Sequence, residues 1–194
     1  MTRRGRAPRP RLAPAEHAVA RAAFAVACAL VVGACTTVPP APSVGGDVLS
    51  GRLALRVAAI GNEAPRAFSA AFDLRGDARA GTLGLATPLG SMLAEARWSP
   101  AEVVLVTPQG TRRFADLDAL TREALGESVP IEAWFDWLRG RPWPGAPSEP
   151  SSTGPGFMQL GWQVDLAAFA GGSVAATREW PAPAVTVRIR LDRS

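Results

Sequence analysis

From Gly51 onward apolar and polar residues alternate with a period of two, the spacing of a strand that buries one face. Leu53, Leu55 and Val57 fall on one side, with Ala54, Arg56 and Ala58 on the other. The next run repeats the pattern, with Phe68, Ala70, Phe72 and Leu74 set against Ser69, Asp73 and Arg75, and Gly76-Asp77 offering a turn. Leu83 and Leu85 lead into Thr87-Pro88-Leu89-Gly90, after which Met92, Ala94, Ala96 and Trp98 oppose Ser91, Glu95 and Arg97. Three antiparallel neighbours in a row are expected. Residues 103–106 form a fourth apolar run, and Thr107-Pro108-Gln109-Gly110 reads as a turn into 111–114, with proline where its fixed φ fits.

The period then changes to that of a helix. Asp116 is placed to cap a segment whose Leu117, Leu120 and Ala124 share one stripe, and Gly126 stands where a left-handed C-terminal residue is wanted. A second helix starts at Pro130, whose missing N–H costs nothing in a first turn. Ile131, Trp134, Phe135 and Leu138 follow i, i+3, i+4, i+7, and Gly140 closes it. Residues 141–156 are rich in Pro, Gly and Ser and read as loop. Alternation returns with Met158, Leu160, Trp162 and Val164 against Gln159, Gly161 and Gln163, then in 173–178, and finally with Val185, Val187, Ile189 and Leu191 against Thr186, Arg188 and Arg190. Many strands, two short helices, then more strands argue for an antiparallel sheet curling around helices rather than βαβ units. The fold class is therefore α+β, mainly β.

One turn is unusual. Turn tips generally carry Gly, Asn, Asp or Ser, which tolerate the backbone angles and favour water, so Leu89 at a tip needs either packing cover or a purpose. The pattern alone leaves both readings open: a leucine folded back on its own sheet, or an exposed one.

Charge divides the chain at Cys35. Six Arg and one acid, Glu16, precede it; 15 Arg and 16 acids follow, so the formal net charge of +4 resides in the leader and the body is close to neutral. A nucleic-acid footprint is absent from the body. The single histidine, His17, lies in the leader, lysine and tyrosine are missing altogether, and Cys28 and Cys35 are the only cysteines. Beyond Cys35 the chain therefore lacks the residues for a His-based triad, a Schiff base, a Walker lysine, a His/Cys zinc site or an internal disulfide. No cofactor or metal is expected. Carboxylate chemistry stays open in principle, with Asp73 and Glu95 as candidate acids for a hydrolase.

An Arg- and Pro-rich opening runs into an apolar stretch over 22–32, the pattern of an export signal and too short for a membrane-spanning helix. It ends in Val32-Gly33-Ala34-Cys35, which resembles a bacterial lipobox; this implies removal of 1–34 and lipidation of Cys35. Acyl chains on Cys35 would supply stable anchoring, at about 0.8 kcal/mol per buried methylene. Thr36, rather than Asp, follows the cysteine, which by resemblance implies the outer membrane. Residues 35–50 then form a Pro- and Gly-rich tether, and 51–194 a single domain.

Gly51-Arg52-Leu53, Thr87-Pro88-Leu89-Gly90, Leu125-Gly126 with Val129-Pro130, and above all Trp137-Leu138-Arg139-Gly140-Arg141-Pro142, in this order and downstream of a lipobox, resemble the LolB family of outer-membrane lipoprotein receptors. The likeness covers most of the chain from Cys35 on. Leu74 is a departure, standing where tryptophan is frequent in the family, and the last strand lacks the usual closing aromatic. The resemblance implies an unclosed antiparallel barrel whose hollow is plugged by short helices, leaving a hydrophobic cavity for acyl chains. It implies a monomeric, non-catalytic receptor that accepts lipoproteins from the periplasmic carrier LolA and inserts them into the inner leaflet of the outer membrane. It also implies that Leu89, held by Pro88 and Gly90, protrudes and assists insertion.

The alternating faces and the helix stripe supply the candidate cavity lining: Leu53, Leu55, Phe68, Phe72, Leu83, Leu85, Trp98, Trp134, Phe135, Leu138, Leu160 and Trp162. A solid core would use the same residues, since a packed interior and a cavity wall are both apolar. Trp137 and Trp143 are expected at the mouth or over the sheet edge. The alternative function is an anchored structural or assembly lipoprotein with a solid core and no acyl cargo.

Overall fold

The computed structural model describes residues 48–192. The export signal, Cys35 and the tether as far as residue 47 lie outside the described residues. The strands are β1 (Val48–Val57), β2 (Arg66–Gly76), β3 (Gly81–Ala86), β4 (Met92–Trp98), β5 (Val103–Thr107) and β6 (Gly110–Phe114), followed by helices α1 (Leu117–Leu125) and α2 (Ile131–Trp137). Then come β7 (Ser148–Pro150), β8 (Gly156–Gln159), β9 (Trp162–Asp165), β10 (Ser173–Arg178) and β11 (Val185–Leu191). Strand β1 thus begins at Val48 rather than Gly51.

All eleven strands make one antiparallel sheet in the order β6-β5-β4-β3-β2-β1-β11-β10-β9-β8-β7. The first strand pairs with both β2 and β11, so the two halves of the chain meet along it. Strands β6 and β7 are the sheet edges, and the segment joining them in sequence carries both helices. The sheet is therefore not closed. The buried faces of α1 and α2 join the inward faces of the strands in one core, from Leu53 and Phe72 through Trp134 and Phe135 to Val164 and Val187. An amphipathic helix this short holds its shape by such burial rather than by propensity.

Local signals fix the helix ends. The Asp116 side chain accepts a hydrogen bond from the Ala119 N–H at 2.7 Å, and Gly126 takes φ 77° at the C-cap of α1. The left-handed φ is what calls for glycine at 126; a Cβ there would meet only the Arg66 guanidinium, the end of a flexible, half-exposed side chain that can move aside. Helix α2 starts directly after Pro130, its N-cap.

The stretch 156–165 is the main departure from the expected pattern. It is two strands joined by a two-residue turn, Leu160-Gly161, because Gln159 pairs with Trp162. Leu160 at φ 54° and Gly161 at φ 76° give both central residues the positive φ of a type I′ turn, whose twist matches the flanking strands. The turn shifts the parity: Phe157 and Gln159 face the core from β8, Trp162 and Val164 from β9, and Met158 and Leu160 are exposed. Leu160 therefore sits exposed at a turn, not on the inward face with Trp162 and Val164. Within the loop 141–156, Ser148–Pro150 forms the edge strand β7, where a proline is tolerated.

Trp137 also sits elsewhere than expected. It is 2% exposed, stacks at a tilt on Trp162, and donates its indole N–H to Gln159 Oε1 at 2.7 Å. Gln159 accepts a second bond from the Trp143 N–H and gives its own amide to the carbonyls of Trp143 (2.7 Å) and Ala146 (2.8 Å). One buried glutamine thereby satisfies four partners and ties the long loop to the core. Glu132 in the first turn of α2 is also partly buried; this desolvation raises its carboxyl above the ordinary range, opposed by its own backbone N–H and assisted by Asp118 and Asp116. An acid raised in the folded state costs stability as pH rises above its unfolded value. Glu132→Gln should therefore raise the melting temperature at about pH 7, with the gain shrinking as pH falls and vanishing below the ordinary carboxylate range, where the group is neutral in both states.

Candidate functional site

Between the helices and the first five strands the core is not filled. A cavity of about 440 Å³ lies there, within the size range of small-molecule sites. Its floor is apolar and buried: Leu53 and Leu55 of β1, Leu83 of β3, Leu120 of α1, and Ile131 and Trp134 of α2. Its exposed lining is confined to the start of β2 (Arg66, Ala67) and the last turn of α1 (Glu123, Ala124, Gly126), with Leu85, Leu93 and Ala94 half-buried beside them. The mouth thus opens at one end of the sheet, beside the β3–β4 hairpin.

That hairpin carries Leu89. Gly90 N–H donates to the Thr87 carbonyl at 2.9 Å, Thr87 and Ser91 close the ladder, and the Thr87 hydroxyl accepts from the Ser91 N–H. The result is a three-residue loop with Pro88 first and Gly90 at φ 86° last, a standard hairpin solution that leaves the middle residue outermost. Leu89 is 95% exposed. It does not fold back on the sheet.

The residues 48–192, which include every strand, both helices, the cavity and the Leu89 hairpin, match a family model described as Outer membrane lipoprotein LolB. The chain belongs to the LolB family. It is 35% identical to the Outer-membrane lipoprotein LolB of Bordetella petrii over 178 residues, covering 86% of this chain and 88% of that one. The protein of the same name from Ralstonia nicotianae is 33% identical over 180 residues (87% and 84% covered), and that from Cupriavidus necator 29% over 188 residues (88% and 94%).

Within this LolB-family domain the candidate lining residues separate into two groups. Leu53, Leu55, Phe68, Leu83, Leu85 and Trp134 line the cavity. Phe72, Trp98, Phe135, Leu138 and Trp162 are buried in the packed core outside the cavity lining, with Trp98 edge-on to Phe135 at 6.0 Å between ring centroids. The sequence reading missed Leu93, Leu105, Leu120, Leu125, Val129 and Ile131. Leu93 escaped because of a register shift between Leu85 and Ala86: Ala94 faces Leu85 while Met92 faces Ala86, so Leu93 is the extra residue of a bulge. Bulges re-aim side chains, and here both Leu93 and Ala94 reach the cavity. Asp73 and Glu95 instead pair with Arg75 and Arg97 two residues along their own strands, and neither lines the cavity.

A polar clasp crosses the mouth. The Arg66 guanidinium donates to the Leu125 carbonyl at 3.3 Å and lies 4.0 Å from Glu127, and Glu127 in turn binds Arg178 at 2.6 Å. Arg178 is 7% exposed, lies over the Trp162 ring at 5.6 Å, and donates to the Ser128 carbonyl, while its Nε has no hydrogen-bond partner among the described residues. The α1–α2 connection is thus pinned to β10 by a buried charge pair. Removing one charge of such a pair strands the other in a poor solvent. Glu127→Gln, which keeps a hydrogen-bond acceptor, should cost about 2 kcal/mol, read as a lowered urea midpoint with an unchanged slope.

Proposed function

We propose that this LolB-family protein is an outer-membrane-anchored receptor that accepts lipoproteins from the soluble carrier LolA and inserts them into the inner leaflet of the outer membrane. The observation that carries this reading is the apolar cavity, open at the end where Leu89 protrudes. An acyl chain costs about 0.8 kcal/mol per methylene in water, so a lipoprotein crossing an aqueous gap needs a dry container at each stage. The cavity is such a container, and the chain lacks the lysine of a Walker site. Transfer then runs down a gradient of affinity, from carrier to this cavity to bilayer. Lipidated Cys35 holds the domain at the membrane, and Leu89 eases the passage of the acyl chains into it. The domain acts as a monomer and performs no catalysis.

The test is to mix the mature chain lacking Cys35 with carrier loaded with a lipoprotein and to separate the two. Lipoprotein moves to the receptor if the proposal holds. If it stays wholly on the carrier, the proposal is wrong.

A further inference from the structure

Strand direction sorts the turns into two sets. Because the sheet is antiparallel throughout, the turns that follow β1, β3, β5, β8 and β10 all lie at one end, and those after β2, β4, β7 and β9 at the other. Four of the five turns at the first end expose an apolar side chain: Ile60 (42%), Leu89 (95%), Leu160 (45%) and Trp180 (79%). At the opposite end the turns after β2 and β4 read Asp77-Ala78-Arg79-Ala80 and Ser99-Pro100-Ala101-Glu102, the connection after β9 keeps its Leu166 and Phe169 packed against the core, and among the described residues the exposed large apolar residue there is Val48 where β1 begins. The mouth of the cavity opens at the apolar end.

We propose that this end of the sheet, and not Leu89 alone, is a membrane-docking face that seats Ile60, Leu89, Leu160 and Trp180 in the headgroup region of a phospholipid bilayer. The proposal rests on the receptor reading above. Water-exposed turns rarely carry such residues, and one per turn at a single end is a pattern that packing does not demand, since none of the four is buried. Trp is the residue that interfaces favour, its ring apolar and its N–H wet. Arg56 and Arg66 are exposed at the same end, but so are Glu63 and Glu179 in the turns that carry Ile60 and Trp180, so the case rests on the apolar tips and not on charge.

Chain length is consistent with this orientation and makes it testable. Cys35 and Val48 are 13 residues apart, and β1 starts at the end remote from the apolar turns. Fully extended, that tether reaches about 43–47 Å, whereas the ten residues of β1 span about 33 Å. An anchor at Cys35 can therefore bring the far end of the sheet down to the bilayer that holds it, with little to spare. Deleting residues 39–44 leaves a reach of about 25 Å, too short for end-on docking.

The test uses the full lipidated protein in phosphatidylcholine/phosphatidylglycerol vesicles, without carrier or cargo. Ile60→Cys, Trp180→Cys and, as a control at the other end, Ala101→Cys each carry a polarity-sensitive fluorophore. Docking predicts blue-shifted emission at 60 and 180, quenched by a lipid-borne quencher at least about threefold more than at 101, and loss of that difference when 39–44 are deleted. Equal quenching at the three positions, or the strongest at 101, overturns the proposal. Because no lipoprotein is transferred in this measurement, its failure leaves the receptor reading standing, and failure of transfer from the carrier leaves this result readable.

Discussion

Replacing Leu89 with glutamate should leave acceptance of lipoprotein from the carrier within about twofold of the wild-type rate while slowing release into membranes by at least about tenfold. The separation follows from geometry. Leu89 is 95% exposed and its turn is held by Thr87, Gly90 and Ser91, so the substitution removes no packing and breaks no hydrogen bond. Folding should be unchanged, within the ±0.5 kcal/mol or so usual for surface changes. Moving a leucine side chain from water into an apolar phase is worth about 1.5–3 kcal/mol, which converts to about tenfold to a hundredfold in rate if that contact forms on the way to release. Glutamate forfeits that gain and adds the cost of bringing a carboxylate towards lipid. Stopped-flow transfer to receptor and then to vesicles measures the two steps separately. Equal loss of both would assign the turn a folding role.

The second large effect concerns stability. Gln159→Leu, which nearly conserves volume, should lower stability by about 4 kcal/mol, because it leaves the buried Trp137 indole N–H, and the part-buried Trp143 N–H and two loop carbonyls, without their partner. For a domain of this size that corresponds to roughly 10 °C in melting temperature. Calorimetry of the variant checks it. A shift under 2 °C would mean that the loop 141–156 docks independently of the glutamine.

Gln159 also shows where sequence patterning stopped. Period two located the strands reliably where the chain supplied long alternating runs, as in β1, β2 and β11, and the caps Asp116 and Gly126 marked α1 at both ends. Over 156–165 the alternation looked continuous, because Leu160 at a turn tip is indistinguishable from Leu160 in a strand. A leucine at φ 54° runs against the usual Asn-Gly or Asp-Gly signal for such turns, so nothing in the residue types announced the hairpin, and Gln159 was assigned to the wrong face. The expectation of Trp137 at the mouth or over the sheet edge fails for a related reason: its partner Gln159 is not recognisable in the sequence as a buried acceptor.

The cavity itself was legible only as a set of inward faces. Leu53 and Phe72 follow the same pattern, yet one lines the cavity and the other packs solidly, a difference that alternation within a strand does not encode. Leu93 could not be found from alternation, since a bulge breaks the parity that alternation relies on. The buried Arg178–Glu127 pair joins residues about fifty positions apart, beyond the reach of any local pattern. By contrast the apolar tip at Leu89 was visible from residue type alone, and the structure settles only its exposure.

The most direct measurement of the central claim, that acyl chains occupy the cavity, compares two adjacent residues of β2. Phe68 lines the cavity, and Ser69, next along the strand, lines a separate depression on the other face with Arg52 and Arg188. A photo-crosslinking amino acid is placed at either position, and the protein is exposed to carrier loaded with a lipoprotein bearing labelled acyl chains. The acyl label should attach at position 68 and be absent, or at least about tenfold weaker, at position 69. Equal labelling at the two positions, or labelling at 69 alone while lipoprotein still moves across, would show that the cavity is not where the lipid goes.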